Sequence, residues 1–262
     1  MKRKIIIVGY PKSGNTWLTR LTAELVGCPV AGFLYAYRQD EIAVEGQERE
    51  SPYVVYKSHH QLSELTAEDR SNADIIYVIR DPRDVYLSGI NYFKLRFFRR
   101  VNWSKLGKLA PVFRDADGLI NSLYHRINVK RAVRRAVLYG DERVNRWCRT
   151  SWGEHVHPYL ATENVLKVRY EDLLNEPEAV SASILQFLDL PPTPSHITKA
   201  VERQSFARVR NKFTAAGETE KAAFLRRGEA EQWREGMPGK HRARFQKVFG
   251  DLLERLRYPA GV

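Results

Sequence analysis

Cysteine is scarce: Cys28 and Cys148 are the only two in 262 residues. That is too few for a disulfide framework, so reduced thiols are expected. Long apolar runs are missing as well. None approaches the roughly 20 residues that span a bilayer, so no transmembrane segment is expected. Met1-Lys2-Arg3-Lys4 ahead of an apolar run imitates the start of a signal peptide, but Gly9 and Pro11 cut that run far short of an h-region. The chain therefore reads as cytoplasmic. Internal repeats and low-complexity tracts are absent too, which excludes solenoids and disordered linkers. Acidic residues are the minority charge, 31 against 43 Lys and Arg, leaving a net charge of +12. Such an excess calls for anionic partners: nucleic acid, an anionic membrane surface or phosphorylated small molecules. The basic residues cluster only at Arg96–Arg100 and Lys130–Arg135, and neither cluster sits in a nucleic-acid-binding motif, so nucleic acid is not expected.

What is present starts at Ile5. The β-branched run Ile5 to Val8 suits a strand buried on both faces in a parallel sheet. Gly9-Tyr10-Pro11-Lys12-Ser13-Gly14 is a tight turn, and a helix with Leu18, Leu21 and Leu25 on one face follows from Thr16. Strand, glycine-containing loop and helix N-terminus together converge backbone N–H groups and a positive dipole end on one point, the makings of a phosphate cradle. The spacing Gly9-x4-Gly14 echoes a Walker A loop, yet Asn15 stands where that motif has lysine, and Lys12 lies inside the turn.

Further along, Tyr53 to Lys57, Ile75 to Ile79 and Asn164 to Val168 read as strands. Pro29 to Pro52 lacks a clear period and reads as a long segment facing substrate. Helices are expected over Glu64–Arg70, from Arg83 to about Arg96, behind an Asp117 cap with Leu119, Leu123 and Ile127 inward, and from about Glu142. Two more are expected around Val180–Leu188, stopped by Pro191-Pro192, and across Phe245 to Leu256. This order fits one α/β domain over 1–262, a P-loop-like parallel sheet flanked by helices with helical additions.

Arg80 ends a core strand, where an open sheet exposes its binding crevice, and its planar fork can grip a phosphate bidentately or pair with a carboxylate. Ser88 lies about two helical turns past Pro82 and can add a hydroxyl donor. His59, ending another strand, has an ordinary pKa near about 6.5 and is suited to take a proton; His60 beside it reads as a surface residue.

Tyr10-Pro11-Lys12-Ser13-Gly14-Asn15-Thr16-Trp17 resembles the 5′-phosphosulfate loop of sulfotransferases that use 3′-phosphoadenosine 5′-phosphosulfate (PAPS), whose commoner form has Thr at the Asn15 position. The segment Tyr77 to Ser88 resembles the family's 3′-phosphate motif, and Lys57-Ser58-His59 its Lys-Thr-His. The resemblance implies a co-substrate, PAPS, with no metal. It implies that Lys12, Ser13, Gly14, Asn15, Thr16 and Trp17 bind the nucleotide, Trp17 by stacking on the adenine, though Trp17 also suits a core. It assigns the 3′-phosphate to Arg80 and Ser88, the base to His59, and the transferring sulfonate and bridging oxygen to Lys57 and Lys12. Tyr170, in Arg-Tyr-Glu-Asp, matches a nucleotide-contacting Tyr. Phe224-Leu225-Arg226-Arg227-Gly228 resembles the C-terminal clamp, with Arg226, Arg227 and Gly228 on the 3′-phosphate, although Glu231 and Gln232 depart from that motif.

The acceptor is expected to be a small molecule, a glycan or a lipid, attacked through oxygen or nitrogen. Phe93, Phe97, Phe98, Trp103 and Phe113 suit either an acceptor pocket or a core. Two rival functions are a P-loop kinase, which calls for Mg²⁺ and a lysine at the Asn15 position, and a non-catalytic basic module indifferent to His59.

Overall fold

The computed structural model describes residues 2–35, 44–93, 128–205, 207–208, 211, 214 and 228–260. Five strands, β1 (Arg3–Val8), β2 (Val30–Phe33), β3 (Tyr53–Ser58), β4 (Asp74–Ile79) and β5 (Val165–Arg169), form one parallel sheet in the order β2-β3-β1-β4-β5. β1 is thus central, as its β-branched run requires, and Ile5, Ile6, Ile7 and Val8 are fully buried.

The chain groups into two compact units, Met1–Asp81 with Glu154–Gln232, and Pro82–Gly153 with Trp233–Val262. The first carries the sheet. One sheet face presents Ile5, Ile7, Val55, Ile76, Val78 and Val168, and these pack with Leu18, Leu21 and Leu25 of α1 (Asn15–Val26). Ile184, Leu185 and Leu188 at the end of one further helix, and Ile197 and Ala200 of another, complete that core. On β4 the alternate residue Tyr77 points the other way and stacks on Tyr159, ring centroids 4.3 Å apart. Period-two alternation on the strands and a 3.6 period on α1 therefore bury both faces.

The second unit holds α3 (Pro82–Tyr92), a helix over 128–139, and the C-terminal helix Gly239–Arg255, which buries Phe245, Phe249 and Leu253. Its core includes a buried cation. The Arg83 guanidinium lies 3.6 Å from the centroid of the Trp233 ring and donates to the Pro259 carbonyl at 2.8 Å, while Asp84 accepts from the Trp233 backbone N–H at 2.9 Å.

Several expectations are corrected. Pro29 to Pro52 contains the four-residue strand β2, too short to show a period. The helix expected from about Glu142 does not form. The helix over 128–139 stops at Gly140, whose φ of +79° puts it in the left-handed region, and a Cβ there would lie 2.3 Å from the Arg149 carbonyl oxygen. A 3₁₀ turn at Arg146–Cys148 follows, and helix starts again over Trp152–Ala161. The expected Glu64–Arg70 helix is displaced to α2 (Ala67–Asn72), because the Thr66 hydroxyl caps it by accepting from the Asp69 N–H at 3.0 Å. A helix at Pro194–Arg203, started by its proline, was not expected at all. The Arg96–Arg100 cluster, Phe97, Phe98, Trp103, Phe113 and the Asp117-capped helix lie outside the described residues. Phe93 is described and buried.

Candidate active site

The site is assembled where β1, β3 and β4 end. β1 leaves the sheet at Gly9, and a Cβ there would sit 2.6 Å from the Val78 carbonyl oxygen, so only glycine allows the loop to pass β4. The loop closes with the Ser13 N–H on the Tyr10 carbonyl at 3.2 Å. Lys12 adopts φ +72°, a left-handed conformation that costs a non-glycine residue about 1–2 kcal/mol. Gly14 caps α1 at φ +101°, and the Tyr170 ring lies against it. The first turn of α1 directs its N-terminal N–H groups into the loop. Ser13 is fully buried, and its Oγ has no hydrogen-bond partner among the described residues.

Asn15 explains its own departure from the Walker pattern. Its Nδ2 donates to the Gly9 carbonyl and to the Ser58 carbonyl, both at 3.1 Å, tying the loop's start to the end of β3. A neutral amide with two donors suits that place, where a lysine would put a charge among carbonyls. The loop's amine is Lys12 instead. Burial first, then the neighbouring Arg80 and Lys57, hold its amine well below the ordinary lysine range.

Arg80 is largely buried at the end of β4 and meets the same loop. Its Nη1 donates to the Lys12 carbonyl at 3.1 Å and its Nη2 to the Glu229 carbonyl at 3.3 Å, and the guanidinium lies 4.2 Å from the Tyr170 ring centroid. The left-handed Lys12 backbone is thereby held from outside the loop. Tyr170 meets Trp17 edge to face at 6.0 Å, and the Trp17 indole N–H donates to the Gln204 carbonyl at 3.0 Å.

His59 is buried beside this loop. Its Nδ1 lies 2.6 Å from the Gly9 carbonyl oxygen. A carbonyl only accepts, so Nδ1 carries the hydrogen and the Nε2 lone pair is the proton acceptor. Burial, and secondarily the Lys57 charge, push its pKa well below the usual histidine range, which keeps the ring neutral. Lys57 is buried too, with Nζ 5.9 Å from the Phe33 ring centroid. His60 turns away into its own contact, Nδ1 2.9 Å from Ser58 Oγ.

The structure therefore brings Lys12, Ser13, Gly14, Asn15, Lys57, His59, Arg80 and Tyr170 together around one loop. Thr16 is half-buried in the first turn of α1, next to Trp17. Gly228 is in the left-handed region at φ +59°, next to Glu229. Ser88 is half-buried on α3 in the second unit. Arg226 and Arg227 lie outside the described residues. Sequence reasoning missed His155 and Tyr159, which touch the backbone of the His59 segment: His155 Nε2 lies 3.0 Å from the His59 carbonyl, and the Tyr159 hydroxyl donates to the His60 carbonyl at 2.8 Å. Their only sequence signal is the i, i+4 helical spacing between them. Among the described residues, no three His, Cys, Asp or Glu side chains are grouped to hold a metal ion, and no helix is long and apolar enough to cross a membrane.

A parallel sheet whose central strand runs into a Lys- and Ser-bearing loop at a helix N-terminus defines a P-loop-like nucleotide-binding protein. Residues 2–257 match the sulfotransferase domain family, and the chain belongs to that family. It is a PAPS-dependent sulfotransferase. Human Sulfotransferase 2A1 is 24% identical over 274 residues, covering 96% of this chain and 85% of that protein. The 3-alpha-hydroxysteroid sulfotransferase of Cavia porcellus is 25% identical, covering 95% and 83%. Two solved structures share the fold at 17% identity. Mouse sulfotransferase SULT7A1 complexed with PAP has a TM-score of 0.67 over 97% of this chain and 85% of that one. Retinol dehydratase in a complex with retinol and PAP has a TM-score of 0.63 over 99% and 84%.

Proposed function

We propose that this sulfotransferase moves a sulfonate group from PAPS to a hydroxyl or amine with His59 as general base and Lys12 and Lys57 as the cations beside the transferring group. The observation that carries this reading is the His59 Nδ1–Gly9 carbonyl contact. It leaves Nε2 as the proton acceptor and ties the ring to the loop that would hold the donor's 5′ end. In the step, His59 Nε2 removes the acceptor's proton as the acceptor atom bonds to sulfur. The bond from sulfur to the bridging oxygen breaks, and its electron pair stays on the 5′-phosphate of the departing adenosine 3′,5′-diphosphate. Negative charge grows on that oxygen, so positive charge at Lys57, and at Lys12 once the bound nucleotide anion raises its pKa, stabilises the transition state more than the ground state. A sulfonate carries less charge than a phosphoryl group, and these side chains supply positive charge of their own.

For the nucleotide, we assign Ser13 and the first turn of α1 to the 5′-phosphate. The buried Ser13 hydroxyl supports this, because nothing else described takes its hydrogen bond. Arg80, stiffened by two carbonyls and the Tyr170 ring, is assigned to the 3′-phosphate. The acceptor we propose is a hydroxylated small molecule, glycan or lipid, in keeping with relatives named for hydroxysteroids. A cytoplasmic location accompanies this reading: both cysteines are buried thiols, and burial pushes Cys28 up to about 12, leaving it inert.

Thermal shift with adenosine 3′,5′-diphosphate against AMP tests the donor site. Ligand at about 100 times its Kd adds about 2.7 kcal/mol, which for a chain of this size raises Tm by several degrees, at about 2–4 °C per kcal/mol. The bisphosphate should shift Tm by that much and AMP hardly at all; equal, negligible shifts would overturn the assignment. Labelled PAPS with a panel of phenols, sterols and sugars identifies the acceptor.

A further inference from the structure

Three side chains, the Gly9–Tyr10 peptide and the His59 carbonyl close a ring of hydrogen bonds beneath the loop. The Gly9–Tyr10 peptide is held on both sides. Its carbonyl takes His59 Nδ1 at 2.6 Å, and its N–H hydrogen-bonds the Tyr77 hydroxyl. The Tyr77 hydroxyl lies 2.7 Å from His155 Nδ1, and His155 Nε2 lies 3.0 Å from the His59 carbonyl. Only one set of protons satisfies every contact. The His59 carbonyl accepts, so His155 carries its hydrogen on Nε2; Nδ1 then accepts from the Tyr77 hydroxyl, whose oxygen accepts from Tyr10. His155 is about as buried as a side chain can be, at 1% exposure, and Tyr77 at 0% is sealed against Tyr159. Water therefore does not compete for these bonds, and breaking any one strands a buried polar atom.

From this closed ring we infer that His155 and Tyr77 are positioning residues for the sulfonate transfer, fixing the tautomer and aim of His59 relative to the donor loop. The inference rests on the general-base role proposed for His59. Its physical content is that His59 is held at two points, ring and carbonyl, and that both holds return to one peptide of the phosphate loop. The base and the donor's 5′ anchor then move as one body. His155 touches neither substrate; it acts through His59.

The test uses the whole chain. ¹⁵N-labelled protein reports the His59 tautomer by long-range ¹H–¹⁵N correlation, and release of sulfate from labelled PAPS, with water as the acceptor, reports rate. His155→Phe should mix the His59 tautomers and lower the rate about 10- to 100-fold, the scale of a misplacement of about 1 Å. Affinity for adenosine 3′,5′-diphosphate should stay within about threefold. His155→Gln, which can still donate to the carbonyl and accept from Tyr77, should recover most of the loss. In a His59→Ala background, His155→Phe should change the residual rate less than about twofold, since the group it positions is gone. Equal factors in both backgrounds, no recovery with Gln, or an unmixed tautomer would overturn the inference. Should His155→Phe fail to fold, Tyr77→Phe removes a single hydroxyl and keeps the ring stack; it should cost about fivefold in rate, the scale of one neutral hydrogen bond. No loss there would be equally damaging. If His59→Ala alone leaves the rate intact, the general-base role falls and this inference with it. A collapse with His59→Ala beside an intact His155→Phe rate overturns the positioning role alone.

Discussion

Replacing Asn15 with leucine keeps the branched skeleton of the side chain and removes both N–H donors. Three consequences follow from the contacts. The Ser58 carbonyl loses its 3.1 Å bond from Nδ2, the Gly9 carbonyl keeps only His59, and a branched apolar group meets two carbonyl oxygens. Asn15 is 3% exposed, so water does not readily replace what is lost. Two hydrogen bonds are worth about 0.5–1.5 kcal/mol each net, and a stranded buried carbonyl costs about 1–3 kcal/mol. The contributions overlap, because the stranded carbonyl is one of the two bonds, so about 2–4 kcal/mol is expected. Urea denaturation followed by tryptophan fluorescence measures it, with a lower midpoint at unchanged m. Turnover should fall in parallel, because the tie that holds the loop against β3 also keeps His59 in register with it. A loss below about 0.5 kcal/mol with normal turnover would refute the clamp role.

Arg80→Ala removes two charged donors and the cation over Tyr170, and should weaken adenosine 3′,5′-diphosphate binding by about 1.5–3 kcal/mol on the 3′-phosphate contact alone; calorimetry that returns the wild-type Kd refutes the assignment. Lys12 titrates low without ligand, and a nucleotide anion should raise its pKa, so the complex binds more protons than the free enzyme between those two values. Affinity should therefore be full below the free-enzyme pKa and decline as pH rises toward the bound one. Calorimetry in buffers of different ionisation enthalpy should show proton uptake, and none anywhere from about pH 7 to about pH 10, spanning the ordinary lysine range, counts against it. Gly14→Ala must place a Cβ 2.6 Å from the Tyr170 ring at φ +101°; about 1–3 kcal/mol of stability should go with most of the nucleotide affinity, and a wild-type melt would contradict this.

The phosphate loop was legible because its signals are local: a β-branched strand, a lysine and serine in a glycine turn, and apolar residues at helical spacing all fall within some twenty consecutive positions. β1, β3, β4 and β5 were found for the same reason. β2 was not, since four residues set no period, and the helix stop at Gly140 was missed because the need for glycine comes from the Arg149 carbonyl packed against it. Asn15 looked like a defect in a motif, and its use becomes visible only when Ser58, 43 residues away, is beside it. His155 lies 96 residues from His59 and carries no motif of its own reading. Such partners are chosen by the fold, and a one-dimensional pattern has no means of showing them.

His59→Ala tests the account most directly. Sulfonate transfer from labelled PAPS, measured with the best acceptor from the panel, should fall about 10²–10⁴-fold, while the Kd for adenosine 3′,5′-diphosphate stays near wild type, because the side chain's bond to Gly9 shares that carbonyl with Asn15. Near-normal turnover in this variant, with the nucleotide still bound, would contradict the account.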